Sequence, residues 1–143
     1  MDIEKSIAAV HDALVADERV AAAILFGSAA RGTARRSSDL DVALIARSAA
    51  DAAALEASSL DIAGRLSTVA NRDVQVVLLD RVEPILGRQA FAGGRTLFDR
   101  DPGRTADVLE RILTEYFDGE YHRRVRAEAL DRRRAARRSP EEQ

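Results

Sequence analysis

Two aspartates one residue apart, Asp39 and Asp41 in "SDLDVALIA", head an apolar run that otherwise reads as a buried strand. Side chains alternate along an extended chain, so both carboxylates leave the same face. At about 5 Å and an effective dielectric near 20 they repel by roughly 3 kcal/mol, a large share of a small domain's stability. Two solvated acids at a strand edge is one outcome. The other is a divalent cation, because Mg²⁺ is hard and is held by one or two carboxylates together with substrate phosphates. Upstream, "LFGSAARG" sets Gly27 and Ser28 directly after another apolar run. Gly27 allows a sharp turn and a close approach of backbone N–H to a ligand, Ser28 adds a hydroxyl, and Arg31 can pair with anionic oxygens. A short helix opening at Ser28 would aim its N-terminus at the same anion. An ordinary strand-to-helix turn would use the same glycine. Together, Gly27-Ser28, ten residues and Asp39-x-Asp41 form a combination that chance supplies on the order of a few times in a thousand. It points to a phosphate-plus-metal site, with the turn holding a triphosphate over one strand end and the next strand supplying metal ligands.

The elements that must position these groups follow from periodicity. Ile3, Ile7, Val10 and Leu14 recur at helical spacing and predict an amphipathic helix ending near Asp17, with His11 on its polar, surface side. "VAAAILF" (20–26) is apolar at both parities and predicts a central strand covered on both faces; "DLDVALIA" (39–46) predicts a second. Leu55, Ser59, Ile62, Leu66 and Val69 mark one helix, and "DVQVVLLD" the third strand. "VEPILGRQAFAGG" reads as a short helix with a Gly-Gly stop, and "RTLFD" as a fourth strand. Asp101-Pro102 is an N-cap with proline at the first helical position. The helix it starts should reach about Arg134, with Leu109, Ile112, Tyr116, Phe117 and Val125 on its apolar side and Gly119 as a possible interruption. Tyr116 and Tyr121 read as core or interface positions. The order α-β-β-α-β-α-β-α defines an α+β fold with a small mixed sheet flanked by helices and a long C-terminal helix.

At 143 residues the chain has the length of one ordinary domain, with a core over about 18–100 and a helical extension over 101–138. It contains no cysteine and two histidines, which removes disulfides, Cys-based zinc and His-rich metal sites, so any metal must be held by oxygen. The first residues carry scattered charges and form neither a signal peptide nor a membrane span, so a cytoplasmic location without membrane contact is expected. A net charge of −2 conceals a segment from Arg123 to Arg138 with eight arginines and two acids, Glu128 and Asp131. With no interleaved aromatics there, the segment fits a solvated or partner-facing helix better than a nucleic-acid surface. Arg35 and Arg36 could screen a triphosphate but read more simply as loop residues; His122 carries no catalytic weight.

"GSAARGTARRSSDLD" resembles the G-S-x10-D-x-D signature of the minimal nucleotidyltransferases, a branch of the DNA polymerase β-like superfamily. The similarity extends through "VEPILGRQAFAGGRTLFDRD" and "EYFDGEYHRRV", over roughly residues 20–125, and within the family is greatest to the MntA-type antitoxins paired with HEPN-domain toxins. The resemblance implies ATP as substrate, Mg²⁺ as cofactor with two ions, and transfer of AMP to a tyrosine of the partner toxin. Carried over by position, Gly27 and Ser28, with Arg31 and Ser38, would hold the nucleotide's phosphates, and Asp39 and Asp41 the metal. One ion would then activate the attacking hydroxyl and the other clamp the phosphates. Many members add a third acid on the following strand, which the family's register, counted from "LLDRVEP", places at Gln75, and Gln75 is no base. Asp73, two residues earlier on the same strand face, could substitute as metal ligand or base; it could equally be a helix-to-strand boundary residue. Two other functions stay open on this fold: a non-catalytic module that occludes its partner, and a nucleotidyltransferase acting on a small molecule such as an antibiotic. Larger members add a domain that presents the acceptor. This chain has only its C-terminal helix for that task, so the acceptor should come from another protein docked there.

Overall fold

The computed structural model describes residues 1–32 and 39–142, leaving aside the side chains of Tyr121 and of 138–142. Helix α1 (Ile3–Val15) is followed by β1 (Val20–Phe26), β2 (Leu40–Ala46), α2 (Ala49–Ala57), α3 (Ser59–Ala70), β3 (Val74–Leu78), α4 (Pro84–Gly93), β4 (Arg95–Asp99) and α5 (Pro102–Glu142). The strands form one sheet in the order β3-β2-β1-β4. β1 runs antiparallel to both β2 and β4, and β2 runs parallel to β3, so the sheet is mixed. β1 and β2 occupy the centre and are buried almost throughout, which is why neither shows an alternating pattern. One face packs Leu40, Val42 and Leu44 against α1, α2 and α3 through Ile7, Val10, Leu14, Leu55, Ile62 and Leu66. The other packs Ile24, Ala43 and Ile45 against Ala90 of α4 and Val108 and Ile112 of α5.

Local signals account for most element ends. Asp2 caps α1 by accepting from Lys5 N at 2.9 Å, and Asp101 starts α5 by accepting from Arg104 N at 3.2 Å. The stripe expected as one helix over 55–69 is two helices, because Ser58 leaves helical geometry (φ −101°, ψ 5°) and serves as C-cap of α2 and N-cap of α3. Ser48 supplies the preceding start by accepting from Asp51 N at 3.1 Å. Val69 is 42% exposed, and the core position at the end of that stripe is Ala70. His11 lies at the surface as expected, its side chain 40% exposed, with its ring edge-on to Phe98 at 5.7 Å. Gly119 does not interrupt α5, which runs on past Arg134. Only its first turns join the body: Val108 and Ile112 are buried, Tyr116 is half-buried under the Arg88 guanidinium at 4.7 Å, and Phe117 and Val125 are exposed. Residues 122–137 are exposed throughout.

At the end of the sheet remote from Gly27, Asp80 ties three elements together. Its side chain is 4% exposed, and its Oδ1 accepts from Ala46 N at 2.9 Å while Oδ2 accepts from Arg104 Nη2. Arg104 Nε also donates to Ala46 O at 3.0 Å, and Arg111 Nη2 to Leu79 O at 2.6 Å. Among the described residues no helix is long and apolar enough to cross a membrane.

Candidate functional site

β1 ends at Phe26, whose register partner on β2 is Asp41, and Gly27 opens the turn that follows. Gly27 has φ +75°, the left-handed region open to glycine. A Cβ added there would lie 2.5 Å from Asp41 Oδ2, so the Asp41 carboxylate sits against the bare Cα of the turn. The turn closes on itself, with Arg31 N donating to Gly27 O at 3.3 Å and Gly32 N to Ala29 O at 3.4 Å. Residues 27–32 are consecutive turns, so of the two arrangements open at Ser28 the structure has no helix there, and an anion held here would meet turn N–H groups without an aligned helix dipole. Ser28 lies within this turn, half-buried, and Arg31 is exposed on it.

Asp41 is half-buried and Asp39, just before β2, is exposed. Burial pushes the Asp41 carboxyl above the usual range, and the negative charge of Asp39 pushes it the same way. Two hard oxygen donors, one seated against a turn whose glycine leaves room for it, fit a divalent ion bridged to a polyphosphate. Ser38, Arg35 and Arg36 lie outside the described residues.

Asp73 is exposed and precedes β3, its carbonyl accepting from Leu40 N at 2.9 Å. The parallel register sets Gln75, not Asp73, opposite Asp41. Among the described residues no three His, Cys, Asp or Glu side chains gather into a group able to hold a metal, so Asp73 is not drawn into a set with the pair. Sequence reasoning missed the contact of Asp41 with Gly27. Its trace was the antiparallel alignment of "LFG" with "DLD", which brings the glycine beside the second acid.

Gly27→Ala tests that contact. A left-handed alanine costs about 1–2 kcal/mol, and its methyl would push the Asp41 carboxylate aside. We expect thermal unfolding several degrees lower and binding of a non-hydrolysable ATP analogue weakened by about tenfold or more, measured by calorimetry; unchanged binding would separate the glycine from the site.

The polymerase beta nucleotidyltransferase family matches residues 9–103, and the chain belongs to that family. Its fold, with a strand–turn–strand carrying Gly27-Ser28 and Asp39-x-Asp41, is that of a nucleotidyltransferase. Among solved structures, the chain is similar to a toxin–antitoxin complex with AMP-PNP (21% identity, TM-score 0.69, covering 90% of this chain and 98% of the other). It is also similar to the toxin–antitoxin MntA–HepT (17% identity, TM-score 0.67, 89% and 97%). A third structure holds a tri-AMPylated HEPN toxin from Shewanella oneidensis in complex with MNT antitoxin (16% identity, TM-score 0.63, 87% and 98%). No curated protein matches the sequence.

Proposed function

We propose that this chain is the antitoxin of a toxin–antitoxin pair, an Mg-ATP-dependent nucleotidyltransferase that transfers AMP to a tyrosine hydroxyl of a HEPN-type toxin. The observation that carries the reading is the Asp41 carboxylate seated on Gly27 with Asp39 beside it, on a nucleotidyltransferase fold. The AMP-PNP complex and the tri-AMPylated toxin among the structural relatives support ATP as the nucleotide and a toxin as acceptor. In the reaction the acceptor oxygen bonds to the α-phosphorus, the bridge to the β-phosphate breaks, pyrophosphate leaves and the hydroxyl proton passes to solvent or a base. Asp39 and Asp41 would hold Mg²⁺, which supplies charge neutralisation at the phosphates and a more acidic hydroxyl. Gly27, Ser28, Arg31 and Ser38 would position the polyphosphate, and Asp73, exposed just before β3, is the candidate base.

The test is labelled ATP with Mg²⁺, this chain and the protein encoded beside it. Label should appear on the partner and vanish with Asp39→Asn or Asp41→Asn; an unlabelled partner in the presence of the parent chain would overturn the reading. That no third acid joins the pair among the described residues favours a second reading, neutralisation by occlusion alone. Its mark would be a toxin still silenced by Asp41→Ala.

The exposed part of α5 is where the partner would dock. Arg126, Arg133 and Arg137 are seven and four residues apart, share one helical face and are exposed. Reversing all three to Glu should weaken partner binding by about tenfold or more at low salt, with a smaller effect at high salt, as expected of exposed charges. Binding of the ATP analogue should not change. Isothermal titration at two ionic strengths reads both.

A further inference from the structure

α5 turns one face to solvent from the body to its tip. Opposite the buried Val108 and Ile112 stand Glu110, Thr114, Phe117, Val125, Glu128 and Arg132, all exposed. At roughly 100° per residue these six fall within an arc of about 80°. Phe117 and Val125 are 56% and 45% exposed, so the middle of the face holds apolar surface in water. The spacing is the same read in either direction. Counted outward from position 121, the residues come in mates four, seven and eleven positions away: Phe117 with Val125, Thr114 with Glu128, Glu110 with Arg132. A two-fold axis through that point lays each residue against its mate on an antiparallel second helix, so every layer forms twice.

Charge fixes the direction and the occupant. Residues 101–120 hold six acids and two arginines, whereas 123–138 hold eight arginines and two acids. Two such helices side by side in parallel would set like charge on like. Antiparallel, each acidic half lies along the other's basic half, and the complement of the face is written in the same helix. We infer that two copies of this chain pair through antiparallel α5 helices about position 121. The contact has two Phe117–Val125 layers at its centre and exposed polar layers outside them, which places it in the weak, salt-sensitive class. Each tip, exposed over 122–137 in the single chain, then runs along the first half of the other copy's α5. Arg126, Arg133 and Arg137 lie on the far side of the helix, and the nucleotide site takes no part, so the pairing is independent of AMP transfer.

Sedimentation equilibrium of the full chain at low salt, carried to a few hundred micromolar, tests the pairing. The parent should show a monomer–dimer equilibrium that weakens as salt rises. Phe117→Glu should raise the dissociation constant by about tenfold or more while melting as the parent monomer does. Glu110→Arg and Arg132→Glu should each weaken the dimer severalfold. The chain carrying both changes should return toward the parent, because that layer is restored with its charges exchanged. With no cysteine in the chain, a spin label on Ala106→Cys reads the direction. Labels should lie about 45 Å apart in the antiparallel pair, against about 10 Å in a parallel one. A parent that stays monomeric, a Phe117→Glu chain as associated as the parent, an exchanged layer no better than the single changes, or labels at the short distance would each overturn the inference.

Discussion

Asp41→Asn should melt above the parent chain when no divalent ion is present and should lose nearly all AMP transfer. The two effects have one origin. In the folded chain burial and the Asp39 charge raise the Asp41 carboxyl above its ordinary value. The folded state therefore holds that proton more tightly than the unfolded state. The associated stability is fully present below the unfolded value near 3.9, is lost as pH rises through the raised folded value, and stays lost above it. Asn removes the charge that folding penalises. Discounted for a half-exposed group, the gain at neutral pH is of order 0.5 kcal/mol, or a degree or two in melting temperature, and it should shrink toward pH 4. Transfer should fall by about a thousandfold or more, the several kcal/mol that a correctly held metal is worth. Adding Mg²⁺ and the ATP analogue should invert the stability order, since only the parent binds them well. Differential scanning fluorimetry at two pH values, with and without ligand, reads all three; a parent chain at least as stable as the variant without ligand would contradict the strained pair.

The largest loss of stability is expected at the opposite end of the sheet. Arg104→Met leaves the Asp80 carboxylate, 4% exposed, with Ala46 N as its remaining hydrogen-bond donor. Breaking a buried pair from one side costs about 3–5 kcal/mol; with Arg104 itself 28% exposed, we expect about 3. That is a large fraction of the roughly 5–15 kcal/mol available to a domain of this size. Arg104→Met with Asp80→Asn should recover much of the loss, because the amide oxygen can still accept from Ala46 N and no buried charge stands alone. Urea titrations of the single and double variants measure the difference; a double variant as unstable as the single one would assign the loss to packing.

Most of the scaffold was legible from local pattern. β1 and β4 fall at their expected bounds because the apolar run of β1 ends at Gly27 and β4 starts directly after Gly93-Gly94. The paired acids, the glycine turn and the start of α5 could also be read, since each depends on residues within a few positions of one another. The break between α2 and α3 was hidden because Leu55, Ile62 and Leu66 keep helical spacing straight across Ser58. The long α5 could be read from its start signal and apolar spacing, but where it leaves the body could not, because Phe117 and Val125 keep helical spacing although both are exposed. Gln75 as the neighbour of Asp41, and Asp73 as a rim residue, follow from a parallel pairing that joins segments more than thirty positions apart. No periodicity encodes such a pairing.

The clamp at Asp80 and Arg104 also makes α5 a lever. A helix of 41 residues is about 60 Å long at 1.5 Å per residue, and roughly 40 Å of it lies beyond Tyr116. At that reach a tilt of only 10° about the anchored turns sweeps the tip through about 7 Å, more than a full helical pitch. Whatever grips the far end therefore feels small rotations at the hinge as large misalignments, and the fulcrum's stiffness sets how accurately a gripped acceptor can be offered to the strand ends.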